Sequence, residues 1–208
     1  TLIDRNLKYP ADMYLEGNDQ YRGWFNSSLI LSTAFSNVAP FSTCLTHGFV
    51  MDEKWQKMSK SAGNGVDPNK IASTYGADIL RLWAASVDYR ADCRIGESII
   101  KTVTDNYRKI RNTFKFMLGN LNNYVPNESN GLHLSTVDKF VLSELERVKN
   151  KAISSYESYD FASVLNPIIN FMSSTLSSFY LDISKDVLYC DCCSSARKES
   201  IKFVLDKC

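Results

Sequence analysis

The chain has no run approaching the ~20 apolar residues that a membrane-crossing helix requires, and its first residues lack the basic-then-apolar pattern of a secretory signal. The expected location is therefore the cytoplasm, with no membrane partner. Charge of one sign is also missing: 24 lysines and arginines face 23 aspartates and glutamates, a formal net charge of +1. The global electrostatic footprint of a nucleic-acid binder is not visible, so any such surface has to be local. Histidine is scarce, with His47 and His133 alone. Six cysteines without a secretory context imply reduced thiols rather than a disulfide framework. Cys190, Cys192 and Cys193 cluster, but a closed zinc site takes four ligands, usually with two residues between paired cysteines, and no histidine lies nearby to complete one. No metal site is expected, and the three cysteines read as a helix-connecting turn. Internal repeats and low-complexity tracts are absent as well. What remains is 208 residues, 44% of them apolar, enough to bury one good core or two modest ones.

Within this featureless balance one segment stands out. Lys57-Met58-Ser59-Lys60-Ser61 runs into Ala62-Gly63-Asn64-Gly65 and then Asp67-Pro68. Two lysines and two hydroxyls fall within five residues, a glycine-bearing turn follows, and Asp-Pro opens a helix. Such a loop can wrap a polyphosphate, because ammonium groups offset its charge while hydroxyls and backbone N–H groups supply directed hydrogen bonds. The plainer alternative for any Lys/Ser run is a solvated turn.

The hydrophobic periodicity changes once along the chain. Up to about Tyr89 strands and helices alternate: a strand over Asp12–Leu15, a helix over Gln20–Phe35, a strand over Thr43–Met51 and a helix over Pro68–Val87. From about Ile95 the strands vanish. Ile99, Val103, Tyr107, Ile110, Phe114, Met117 and Leu121 form a helical stripe. A second helix is expected over Val137–Tyr156, capped by Ser135 or Thr136, with Val137, Val141, Leu145, Val148 and Ala152 as its apolar stripe. A third, over Phe161 to about Ser184, which Pro167 should kink or delay, would bury Val164, Leu165, Ile168, Phe171, Met172, Leu176, Phe179, Tyr180 and Ile183. Val125–Leu134 reads as a long exposed connection. The fold class is α/β followed by all-α, with one domain over residues 1–90 and a helical domain over 91–208. Between Ile95 and Asn120, Lys101, Arg108, Lys109, Arg111 and Lys115 face only Glu97 and Asp105. That surplus marks either a solvated helix face or one that contacts phosphates.

The pentapeptide Lys57–Ser61 is identical to the signature loop of class I aminoacyl-tRNA synthetases, and the Gly63–Pro68 tail resembles its continuation in the isoleucine and valine enzymes. Tyr14-Leu15-Glu16-Gly17-Asn18-Asp19-Gln20-Tyr21-Arg22-Gly23-Trp24-Phe25 resembles the isoleucyl version of the segment that holds the aminoacyl-adenylate. Leu45–Phe49 is similar to the strand before the signature loop, Tyr75–Trp83 to the helix after it, and Tyr107–Leu121 and Phe179–Asp182 to the start of the family's helical anticodon-binding domain. The resemblance implies the C-terminal part of a Rossmann-like catalytic domain followed by a truncated helical bundle. The family's His-x-Gly-His turn cannot be formed with only His47 and His133, so the resemblance implies a piece of a larger, monomeric synthetase, inactive by itself. A sheet deprived of its first strands is expected to expose apolar surface.

By that resemblance, Lys60 is the ATP-binding lysine, Lys57 assists it, and Ser59 and Ser61 shape the loop. ATP with Mg²⁺, L-isoleucine and tRNA(Ile) are the implied substrates, and Arg108, Arg111 and Lys115 the implied tRNA contacts. Glu16, Gly17, Asp19, Gln20 and Trp24 would bind the aminoacyl-adenylate. Glu16 would meet the substrate ammonium or a ribose hydroxyl, and Trp24 is either an apolar wall for a branched side chain or an ordinary core tryptophan. His47 would lie near the adenine or ribose, or serve structure alone. The alternatives are a valyl-type class I enzyme, against which the Glu16–Trp24 segment argues, and a non-catalytic tRNA-binding module.

Overall fold

The computed structural model describes residues 7–59, 61–125, 133–192 and 195–208. Its contacts fall into two compact units. One runs to Asp67 and takes up Asp88–Gly96, and the other comprises Pro68–Val87 and Glu97–Cys208. Composition had grouped Pro68–Val87 with the strands, whereas its helices pack with the helical unit.

In the first unit, β1 (Ala11–Gly17) pairs in parallel with β2 (Phe41–His47), in a register that runs from Ala11 opposite Phe41 to Gly17 opposite His47. Parallel strands need a crossover, supplied by a 3₁₀ turn (Asn18–Arg22) and helix α1 (Trp24–Ser36). The single helix expected over Gln20–Phe35 is thus two elements, broken at Gly23. Among the residues of α1 only Phe25 is buried, while Leu29, Ile30, Leu31 and Phe35 are exposed, in keeping with the bare apolar surface expected of so small a sheet.

The strand expected over Thr43–Met51 also divides. Gly48 N–H donates to the Tyr89 carbonyl at 2.8 Å and Phe49 N–H to Asp92 Oδ1 at 2.7 Å, which takes both groups out of the β1–β2 ladder. The chain resumes as β3 (Val50–Met51), paired in parallel with β4 (Cys93–Arg94), a strand too short for periodicity to reveal.

The second unit is helical. The helix expected over Pro68–Val87 is two, α2 (Pro68–Tyr75) and α3 (Ala77–Ser86), because Gly76 adopts φ 100°, outside the reach of a helix. Then follow α4 (Glu97–Asn120), α5 (Thr136–Glu157) and α6 (Ala162–Asn170). A π-helical stretch over Phe171–Leu181 leads on to α7 (Asp182–Cys190) and α8 (Ala196–Lys207). Pro167 does not delay the third helix, which begins at Ala162. It runs on to Cys190 through the π stretch, six residues beyond the expected end near Ser184. Hydrogen bonds reaching five residues back rotate the side chains relative to an α-helix. Leu176 and Tyr180 are therefore buried while Phe179 and Ile183, expected in the core, are exposed. On α4 the packed face likewise differs from the apolar stripe: Ile100, Val103, Thr113 and Met117 are buried and Phe114 is exposed. Thr113 tolerates burial because its hydroxyl donates to the Lys109 carbonyl at 3.0 Å. The α5 stripe is as expected at Val141 and Val148, both buried. The exposed connection over Val125–Leu134 lies largely outside the described residues.

The core of this unit joins Met117, Val141, Val148, Phe171, Met172, Leu176, Tyr180, Ile201 and Val204. Beside it Asp138 is fully buried and saturated with donors. Ser135 N–H and Oγ–H each donate at 2.8 Å, Tyr180 O–H donates at 2.6 Å, and Arg197 Nη1 donates to the same carboxylate. Asp138 N–H in turn donates to Ser135 Oγ, which closes a capping box and shows Ser135 to be the cap of α5. Burial by itself pushes the Asp138 carboxyl up, but Arg197, Tyr180 and Ser135 together hold it below the usual carboxylate range. Burial foremost, and then the bond to Asp138, push the Tyr180 phenol well above its ordinary value.

A carboxyl with a depressed folded value contributes stability above its unfolded value, about 3.9, and loses it as pH falls through the folded value. Asp138→Ala is expected to cost about 3 kcal/mol near neutrality, because it leaves Tyr180 O–H buried and Arg197 without its carboxylate. Asp138→Asn should flatten the acid limb. Thermal unfolding followed from neutrality down to pH values below about 4 checks both, and an unchanged acid limb would refute the assigned role.

Candidate functional site

The β1–β2 register puts Gly17 opposite His47 as the last pair, so Glu16, Gly17 and His47 stand together at the carboxyl ends of two parallel strands. Ligands of parallel sheets bind in that position. His47 Nδ1–H donates to the Gly48 carbonyl at 2.8 Å, which turns Nε2 toward Glu16, 3.7 Å from Oε1. Both side chains remain about half exposed, at 42% and 49%, and so are open to a ligand. The Glu16 carboxylate also accepts Gly17 N–H at 3.1 Å. A Cβ at Gly17 would stand 2.6 Å from Asp19 Oδ1, so a larger residue there would displace the exposed Asp19 carboxylate.

Asp19 and Gln20 follow on the 3₁₀ turn. Gln20 Nε2 donates to Asp19 Oδ2 at 3.0 Å, and Gln20 Oε1 accepts Trp24 N–H at 3.2 Å, the first N–H of α1. The glutamine is thus the cap that Gly23, lacking a side chain, cannot supply. Gln20 and Trp24 are joined by this bond across two elements, not by one turn of a single helix. The Trp24 ring lies 4.4 Å from Tyr14 and 4.7 Å from Phe25, centroid to centroid, yet remains 40% exposed. It packs against those two rings and stays partly open to solvent. Tyr14 is a neighbour that motif reading missed; its alternation on β1 was the available signal.

The Lys57–Ser61 loop leaves β3 and is held by side chains that carry no charge of its own sign. Asn64 Oδ1 accepts Ser59 N–H at 3.0 Å, and Asn64 Nδ2 donates to Asp52 Oδ2 at 2.9 Å and to the Lys57 carbonyl at 3.3 Å. Asp52 Oδ1 accepts the N–H groups of Lys54 and Gln56 at 2.9 and 2.8 Å. These bonds, that of Gln56 foremost and then that of Asn64, hold the Asp52 carboxyl below its usual range. Ser59 Oγ accepts Ala62 N–H at 3.1 Å and lies 3.2 Å from Ser61 Oγ. Lys57 Nζ sits 5.6 Å from the centre of the Phe49 ring. Lys60 lies outside the described residues. Asn64 and Asp52 were not foreseen as site residues, although Asn64 stands in the glycine-flanked tail that made the motif legible.

The surface expected to contact RNA belongs to the helical unit. Arg108, Arg111 and Lys115 are all exposed on α4, and Arg108 Nη1 lies 3.6 Å from Asp105 Oδ1 in an exposed pair of little energetic weight. Among the described residues no group of three His, Cys, Asp or Glu side chains could hold a metal ion, and no helix is long and apolar enough to cross a membrane.

Comparison with known proteins matches residues 3–96 to the family described as tRNA synthetases class I (I, L, M and V), and residues 138–208 to the anticodon-binding domain of tRNA ligase. The chain is 49% identical over 201 residues to the isoleucine–tRNA ligase of Mesoplasma florum, covering 97% of this chain and 22% of that protein. To the isoleucine–tRNA ligase of Geobacillus kaustophilus it is 50% identical over 208 residues, again 22% of the relative. The chain therefore spans about a fifth of the length of the curated relatives it matches. Among solved structures, methionyl-tRNA synthetase of Mycobacterium tuberculosis bound by methionyl-adenylate superposes with a TM-score of 0.73 at 20% identity, over 94% of this chain and 39% of that one. LeuRS of Agrobacterium radiobacter K84, in a ternary complex with tRNA and LeuAMS, gives 0.69 at 20% identity, over 94% and 24%.

The Asn64 clasp has a direct readout. Asn64→Ala removes the acceptor of Ser59 N–H and the bridge to Asp52, so exchange of the Ser59 amide is expected to quicken by about tenfold or more. Hydrogen exchange resolved to that amide checks it, and unchanged protection would show that the loop is held by other means.

Proposed function

Because this chain belongs to the class I tRNA synthetases, which residues 3–96 match, and carries the anticodon-binding domain of tRNA ligases over residues 138–208, we propose that it works as part of an isoleucine–tRNA ligase. The intact protein activates L-isoleucine with ATP and passes the acyl group to tRNA(Ile), acting in the cytoplasm as a monomer. The observation that carries the reading is the meeting of Glu16, Gly17 and His47 at the carboxyl ends of two parallel strands, in a chain whose next loop bears Lys57 and Lys60. Identities of 49–50% to isoleucine–tRNA ligases favour isoleucine over the valine alternative.

In activation the isoleucine carboxylate attacks the α-phosphorus of ATP, which enters as its magnesium complex, and the bond to the departing pyrophosphate breaks. The attacking carboxylate is already ionised, so no general base is needed and positioning with charge compensation suffices. Negative charge grows on the phosphate oxygens and the leaving group, where Lys60, assisted by Lys57, supplies ammonium groups. The clasp of Asn64 and Asp52 fixes the loop from which they reach. Glu16 receives the substrate ammonium or a ribose hydroxyl, with His47 beside it, and Asp19 and Gln20 hold the turn that sets Glu16 and Trp24 in place. Trp24, open on one face, walls the pocket for the branched side chain. Isoleucine exceeds valine by one methylene, worth only about 1–3 kcal/mol in such a pocket.

Isoleucine-dependent ATP–pyrophosphate exchange by the full-length protein tests this. Lys60→Ala is expected to lower the exchange rate by about 10²–10³-fold, and Trp24→Ala to erode preference for isoleucine over valine. Exchange with valine only, or indifference to Lys60, would overturn the reading. Reversing Arg108 and Arg111 to Glu should weaken tRNA binding; affinity unchanged across a salt titration would remove α4 from the RNA surface.

A further inference from the structure

Trp24 is the first residue of α1, at the end where a helix's own hydrogen bonds hold it least. Its backbone N–H is met by Gln20 Oε1, but among the described residues its indole N–H has no hydrogen-bond partner. What holds the indole is therefore the packing of rings. Phe25, at 4.7 Å and 63°, is its neighbour in the chain and would move with α1. Tyr14 is the ring that reaches it from another element, 4.4 Å away and tilted by 38°.

Tyr14 is itself held from more than one side. It lies 4.8 Å from Phe41 on β2 and 5.9 Å from the buried Phe25, centroid to centroid, and its own strand pairs with β2. The position of the 40% exposed indole is thus referred to the β1–β2 pair rather than to the helix end on which it stands. Among the described residues the Tyr14 hydroxyl has no hydrogen-bond partner, so the ring and not the O–H carries this task.

Strand geometry gives the arrangement a consequence for selection. Side chains alternate along β1, so Tyr14 and Glu16 share a face about 6.6 Å apart. A substrate held at Glu16 then meets Trp24 where Tyr14 sets it. One methylene lengthens a side chain by only about 1.5 Å, so a small displacement of the indole removes the difference it can sense.

We propose that Tyr14 is a positioning residue for side-chain selection, acting through Trp24 rather than on the substrate. The proposal rests on the ligase reading and on Trp24 as the wall of its amino-acid pocket. The test is ATP–pyrophosphate exchange by the full-length protein with isoleucine and with valine. Tyr14→Leu is expected to lower the ratio of kcat/KM for isoleucine over valine by about threefold to tenfold. The loss should lie in the KM for isoleucine, with the KM for ATP within about twofold of wild type. Tyr14→Phe keeps the ring and should restore the ratio. Tyr14→Met, of similar bulk but without a ring, gives the same comparison should the leucine variant not fold. In a Trp24→Ala background Tyr14→Leu should lower the ratio no further, because the residue it acts through is gone. An unchanged ratio, equal losses for both amino acids with a raised KM for ATP, a phenylalanine variant as poor as the leucine one, or additive losses in the double variant would each overturn the role of Tyr14 and leave the ligase reading standing. A wild-type protein without isoleucine-dependent exchange would overturn both.

Discussion

Parallel pairing of β1 with β2 is the constraint on which the candidate site depends. Two strands that run the same way cannot be joined by a tight turn, so the chain has to cross back through α1, and both strands then end on the same edge. That geometry brings Glu16 within 3.7 Å of His47, residues 31 positions apart in the chain (47 − 16). Reversing either strand would separate them by the length of the sheet. The same edge releases the chain into Gly48 and Phe49, whose N–H groups bond Tyr89 and Asp92 rather than the sheet, and so into β3 and the loop beyond.

The helical unit answers to a different kind of constraint, electrostatic rather than topological. A carboxylate at the first turn of α5 is favoured by the helix's own N–H groups, yet full burial would ordinarily neutralise it. Asp138 remains charged because donors from three places converge on it: Ser135 before α5, Tyr180 in the π stretch, and Arg197 in α8. An ion pair of this sort adds less net stability than its contacts suggest, since desolvation offsets much of the attraction. Its larger effect is to reject other arrangements, because a slip of any one element would leave a buried charge or hydroxyl alone. The π stretch matters for the same reason, as it is the register that turns Tyr180 inward while sending Ser177 and Ser178 to the surface.

Much of this was legible in the sequence because it rests on local chemistry. Ser135 or Thr136 ahead of an apolar stripe announces a helix start, and the run over Asp12–Leu15 announces a short strand. The lysine and serine loop could be singled out from composition alone as a candidate anion site. What escaped was set by contacts between distant segments. Periodicity could not see that Gly48 leaves the sheet for Tyr89, or that Cys93–Arg94 supplies a partner strand of two residues. The stripe on α4 misled at Phe114 because a helical pattern counts apolar residues, whereas the packing selected Thr113, whose hydroxyl satisfies itself on its own helix. Phe179 and Ile183 were misplaced because an α period was applied to a stretch that hydrogen-bonds five residues back.

The described part of the loop shows how a cationic segment can be definite in shape without using the Lys57 ammonium group to hold it. If its lysines also held its fold, binding a polyphosphate would have to break those contacts, and part of the attraction would be spent on rearrangement. Among the described residues Lys57 is kept out of that task. Asn64, Asp52 and the hydroxyls of Ser59 and Ser61 close the loop through hydrogen bonds to its backbone and to each other, none of which involves an ammonium group. Lys57 rests over the Phe49 ring, a contact weak enough to exchange for a phosphate oxygen. Charge held in this way is left available to a ligand, while the Asn64 amide and the Asp52 carboxylate hold the backbone of the loop.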